Sequence, residues 1–301
     1  PRIDTEVVIN TPYTAYNWLD IGRQGAILTE YIFGLRWFNP HFATVGGYLL
    51  ICVAGTLMGY LFWRTSQKNS TACAALGLMC FSAPIMTEQF YFELQIFEVA
   101  WAYILCTVAV GATFAGILWK RKNLLCIAIL CMIWCFSTYQ IFVVLYVTLV
   151  ITGFILLYQR WTIEQKQTKL LYGQIIGGSI AIFLIAFIMN SIITKLFFSN
   201  GNEYLTSQIA WLSQPVSQCM KNILSHMAVG ALGNSTFYTL FYGVFSALAV
   251  VVVVISAMNS VRTKWTAIEI MAVIGLQICP FLLTIAFGGA PTTRAQLAYP
   301  M

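Results

Sequence analysis

Charge is what this chain has least of. Of its 301 residues, 16 are Lys or Arg and ten are Asp or Glu; the charged share is 9%, against about 25% in a soluble domain. A water-soluble enzyme or nucleic-acid-binding domain is not built at that density. The net charge of +6 does not point to nucleic acid either, because the basic residues fall in short clusters between apolar runs. Histidine is limited to His41 and His226, whose spacing suits no metal site. No glycine-rich phosphate loop, Cys-x-x-Cys pair or zinc helix motif occurs. Cysteine is present but poorly placed for cross-links. Cys52, Cys73, Cys80, Cys106, Cys126, Cys131, Cys135 and Cys279 lie in apolar runs and only Cys219 in a polar stretch, which argues against disulfides and a Cys-based metal centre. A signal peptide and an initiator Met are missing as well. The chain opens on Pro1 and closes at Met301 just after a polar turn, and so reads as a fragment of a longer protein, shortened at both ends.

What is present is hydrophobic sequence, 59% of residues with a mean hydropathy of +0.79, the signature of an all-α polytopic membrane protein. Apolar runs near 43–63, 71–87, 97–119, 123–137, 140–158, 171–193, 235–259 and 266–287 predict about eight transmembrane helices in a single domain, the second and fourth being short. Ten basic residues fall on alternate connections: Arg64, Lys68, Lys120, Arg121, Lys122, Arg160, Lys166, Lys169, Arg262 and Lys264. The bias of Lys and Arg towards cytoplasmic loops makes that side the inner one. Of the ten acids only Glu164 and Glu269 share it, which puts the candidate chemistry on the outer face.

Four stretches compose that face. Residues 1–42 form a first outer loop, in which Asp4 and Glu6 sit two apart within "RIDTE". In an extended segment such side chains point the same way, as a pair taking a proton from a hydroxyl would, or as a solvated tail would. Further on, Asn17, Asp20, Arg23, Gln24 and Glu30 share one helical arc, predicting an amphipathic helix in the headgroup plane that ends at Asn39-Pro40. Such a helix serves equally as an anchor or a substrate grip. The second stretch, 87–98, carries Glu88, Glu93 and Glu98; carboxylates at that depth mark a site or a wet cavity, and Glu88 reads as the most embedded. The third, "FSTYQIF" at 136–142, places Ser137, Thr138, Tyr139 and Gln140 in a polar break between apolar segments, a lined cavity or a plain turn. The fourth joins an outer loop at 194–234, with Lys195, Glu203, Lys221 and His226, to a tail carrying Arg294. A cation there holds either a lipid phosphate or the interface itself.

Asp4-Thr5-Glu6, "YNWLDIGRQG" at 16–25 and "STYQ" at 137–140 together resemble the type II glucosyltransferases of seroconverting phages and bacteria. These are polytopic enzymes similar in architecture to the GT-C glycosyltransferases. The resemblance implies transfer of glucose or a related hexose from an undecaprenyl-phosphate carrier to O-antigen or another surface polysaccharide. The periplasmic face of the bacterial inner membrane would be its setting. In that family the Asp-x-Glu follows a first transmembrane helix that this sequence lacks. Carried onto these positions, Asp4 or Glu6 becomes the general base, and Arg23, Lys221 or Arg294 the cation for the departing lipid phosphate. Glu88, Tyr139 and Gln140 join them as substrate-binding candidates. No cofactor is expected, although a divalent ion on Asp4 and Glu6 stays open. The rival readings are a transporter or flippase for a lipid-linked substrate and a polysaccharide polymerase or ligase. The first would put paired polar groups at the midplane and repeat symmetry in the chain, and neither is seen.

Overall fold

The computed structural model describes residues 18–19, 21–35, 39–67, 70–163, 169–197, 209–235, 237–259, 265–296 and 298–299. Among them the architecture is all helical, without a strand. Helix α1 (Gln24–Phe33) leads into α2 (Pro40–Ser66), α3 (Ser70–Ser82) and the short α4 (Met86–Phe90). There follow α5 (Ile96–Leu118), α6 (Lys122–Thr138), α7 (Phe142–Ile163) and α8 (Lys169–Phe197). The last third comprises α9 (Val216–Leu232), α10 (Leu240–Asn259), α11 (Trp265–Ile278) and α12 (Leu282–Phe287).

All eight apolar runs fall on helices. Among the described residues five stretches are long and apolar enough to cross a membrane: Pro40–Ser66, Ile96–Leu118, Phe142–Trp161, Leu171–Leu196 and Ile268–Phe287. Ser70–Ser82 and Lys122–Thr138 are shorter, and Leu240–Val252 is an apolar stretch within the 20-residue α10. At a rise of about 1.5 Å per residue, α3 reaches only about 20 Å, less than the ~30 Å hydrocarbon core. Among the described residues five of the expected eight thus reach that length. The last span is itself interrupted at Cys279–Phe281, where Pro280 cannot donate the helical hydrogen bond and one turn tightens.

Helix α5 is the hub, packed against α2, α6, α7 and α8 and the most buried of the long helices. Tyr103 near its middle is fully enclosed and meets Phe81 of α3 and Phe142 of α7 edge to face, with centroids 4.9 and 5.1 Å apart. Close approach of α2 and α3 depends on small residues: a Cβ at Gly77 would run into the Gly55 carbonyl, and one at Gly59 would lie 3.0 Å from the Cα of Ala74. The helices alternate in direction, which gives the bundle two ends. Tyr139, Asn190 and the start of α5 lie at one, and the last turns of α2 and α7 with Lys120–Lys122 at the other. The described basic residues assigned to a common side, Arg64, Lys120, Arg121, Lys122 and Arg160 among them, do gather at that second end.

Three local expectations are corrected. The arc from Asn17 to Glu30 is not one helix, because Gly22 at φ +73° breaks the chain before α1 starts at Gln24. Asn39-Pro40 does not end that helix either. α1 stops at Phe33 on the left-handed Gly34, and Asn39 caps the next helix, its Oδ1 accepting from Phe42 N at 3.1 Å with Pro40 in the first turn. The 194–234 stretch is likewise no open loop: α8 continues to Phe197, and α9 takes up 216–232.

Candidate functional site

The turn ahead of α1 sets the site. Gly22 N bonds Leu19 O at 2.9 Å and Arg23 N bonds Trp18 O at 2.8 Å, a tight reversal that requires the positive φ glycine adopts freely. A Cβ at Gly22 would also press on Thr194 Cγ2 at 3.3 Å and lie 3.5 Å from Gln140 Nε2. The reversal brings the Arg23 guanidinium over the Tyr139 ring, 4.6 Å from its centroid, and 5.2 Å from that of Trp18. Arg23, Tyr139 and Gln140, drawn from sequence positions over a hundred apart, therefore meet.

The following residues lock α1 in place. Gln24 Nε2 donates to Asn190 Oδ1 and to Thr194 Oγ1, both at 3.0 Å. Trp134 Nε1 donates to Gly25 O at 3.1 Å and to Thr29 Oγ1 at 3.0 Å, and a Cβ on Gly25 would clash with Ser137. The polar side of α1 thus faces protein, while Leu28, Tyr31 and Ile32 are exposed. Gln24 Oε1 is buried and has no hydrogen-bond donor among the described residues, the condition of a site that receives a ligand hydroxyl. Gln24→Ala removes two partly buried bonds and is expected to cost about 1–3 kcal/mol. Scanning fluorimetry in detergent should register this as a lower Tm, with Gln24→Glu restoring little because the carboxylate cannot donate.

Asp4 and Glu6 lie outside the described residues. The carboxylates that are described rank differently from expectation. Glu98, in the first turn of α5, is 6% exposed, whereas Glu88 and Glu93 are half-buried, because α4 is a single short turn at the bundle's edge. Glu98 lies within electrostatic reach of Glu30 on α1. Burial pushes the Glu30 carboxyl up to about 7 from an ordinary 4.5. Between those values the folded chain holds a proton that the unfolded chain releases, so stability falls as pH rises through that window. Glu30→Gln should remove this dependence, raising stability at pH 8 by on the order of 1–2 kcal/mol and leaving pH 4 unchanged. Thermal melts of both proteins across pH 4–8 measure it; parallel profiles would contradict it.

Lys221 and Glu88 do not join this cluster. Lys221 is exposed on α9. Glu88 sits on α4, which packs against residues 293–295, the short turn that includes Arg294. His226, which reads from sequence as no metal ligand, proves to be the centre of a buried polar group: Nδ1 meets Thr284 Oγ1 at 2.8 Å, and Nε2 lies 2.9 Å from the Tyr238 hydroxyl and 3.0 Å from Gln296 Nε2. Burial holds its pKa below the usual range, so the ring is neutral and accepts as well as donates. Partners 12, 58 and 70 residues away leave no local trace in the sequence. Asn190 and Thr194 did leave one, as two polar residues one turn apart within an apolar run.

With the geometry in place, the chain can be set beside known proteins. A family model described as "Glucosyl transferase GtrII" matches residues 1–301, the whole length. No curated protein and no solved structure matches.

Proposed function

The chain belongs to the GtrII glucosyl transferase family, and from that premise we propose that it takes glucose from a polyprenyl-phosphate carrier, undecaprenyl phosphate in bacteria, and passes it to a surface polysaccharide such as O-antigen. The reaction faces the periplasm, on a GT-C-like helical scaffold in the inner membrane. The observation that carries this reading is the meeting of Arg23, Tyr139 and Gln140 beside the helix that follows the Asp4/Glu6 segment, in a chain matched by the family throughout.

The chemistry needs two functions. One of Asp4 and Glu6 accepts the proton as an acceptor hydroxyl oxygen attacks the anomeric carbon. The bond from that carbon to the phosphate oxygen breaks, and the phosphate leaves with one more negative charge than it carried as the glucosyl ester. Arg23 meets that growing charge. A guanidinium lying over two rings is oriented, and its N–H donors radiate in its plane, matching a phosphate in bidentate fashion. Gln24 Oε1 and Gln140 are placed to take hydroxyls of the sugar. Lys221, Arg294 and Glu88 have outer roles in guiding carrier and acceptor.

The test is reconstitution of the full chain in vesicles with labelled polyprenyl-phosphate glucose and lipopolysaccharide. Label moving singly to the polysaccharide supports the reading. Label crossing the bilayer without transfer would establish a flippase instead, and en bloc movement of oligosaccharide a ligase.

A further inference from the structure

At the bundle end remote from Arg23, a cavity of about 720 Å³ opens between α2, α5, α6, α7 and α8. Its size lies within the usual range for a small-molecule site, about 300–1,000 Å³. Almost all its walls are apolar, among them Leu61, Phe114 and Leu157, and among the described residues the charged side chains that line it are Arg64 and Arg160. Both belong to the last turns of their helices, α2 and α7, and Arg160 Nη1 reaches the Arg64 carbonyl at 3.4 Å, which places the two cations at one mouth. Along α5 the lining runs from Trp119 back to Thr107. That stretch corresponds to about 18 Å of helix, a little over half the ~30 Å hydrocarbon core.

An occupant must therefore be anionic at one end and hydrocarbon for one leaflet's depth. We propose that this cavity binds an anionic phospholipid of the leaflet at that end, its phosphate on Arg64 and Arg160 and one acyl chain in the channel towards Thr107. Charge complementarity selects the head, since the two arginines line the mouth. Position excludes the glucosyl donor of the proposed reaction. The 23 residues of α5 separate the two ends by about 35 Å, so a carrier phosphate here cannot reach Arg23. A lipid in this place wedges together five helices, of which α6 and α8 also position the site.

Native mass spectrometry of the full chain in detergent tests this, with phosphatidylglycerol and phosphatidylcholine of identical acyl chains as probes. Phosphatidylglycerol should form a single adduct retained about 10–30-fold better than phosphatidylcholine. The preference should vanish in the Arg64→Ala/Arg160→Ala double variant. Gly111→Trp should abolish both adducts by filling the channel, since a Cβ there meets only Leu61 Cδ1, at 3.7 Å. Equal retention of the two lipids by the unaltered chain would overturn the proposal, and needs no variant to fold. Displacement by inorganic phosphate would overturn it too, by showing that the chain-length channel adds nothing. So would preferential displacement by polyprenyl phosphate. Glucosyl transfer is read separately: lost lipid preference with transfer intact isolates this site, and lost transfer with lipid preference intact isolates the other.

Discussion

Transfer is expected to fall by about 10²–10⁴-fold when Glu6 is changed to Gln or Asp4 to Asn, with the chain still folded and inserted. The amide keeps the shape and loses the capacity to take a proton, so the acceptor hydroxyl must attack without assistance. The two variants need not be equal. The residue that accepts the proton should show the larger loss, and its removal should flatten the acid limb of the rate–pH profile, because that limb records the base losing its proton. The other carboxylate orients the acceptor, and its loss should appear first in KM. Initial rates with labelled donor across pH 5–8, alongside a thermal melt, separate these outcomes. Full activity in both variants would remove the base from the scheme.

Arg23→Ala should cost about 10²–10³-fold, nearly all of it in kcat, the scale seen when one donor to a developing charge is withdrawn. Arg23→Lys should recover only part of this. An ammonium carries the same charge, but it lacks the planar group that lies over Tyr139 and Trp18 and the paired donors that match phosphate. The ring can be tested independently: Tyr139→Phe preserves the face under the guanidinium and should stay within a few-fold of the parent, while Tyr139→Leu should approach Arg23→Ala. An Arg23 that serves only as an anchor would lower Tm in the alanine variant and leave kcat alone.

Several features of this site were legible before any coordinates. Arg23, Tyr139 and Gln140 stand out because each breaks an apolar context or carries charge in a chain with little of it, and they do converge. Other features were hidden for identifiable reasons. Glu98 and Glu88 are both carboxylates in the same stretch, and hydropathy cannot say which is enclosed; that depends on α5 being the hub and α4 an edge turn. Asn39-Pro40 is locally ambiguous, since proline is excluded from a helix interior yet favoured in the first turn. The His226 cluster exists only because the chain after α12 returns to α9.

By itself the sequence determined the membrane class, the apolar helices, the common end of the basic residues and the family, because each rests on composition, local periodicity or motif. The tertiary structure alone decided that α1 turns its polar side inward onto Asn190, Thr194 and Trp134, and that a cavity lies beneath Arg64 and Arg160. Hydropathy measures how much a residue prefers to leave water. Which neighbour it then meets is set by helix crossings, and those depend on contacts between residues far apart in the chain.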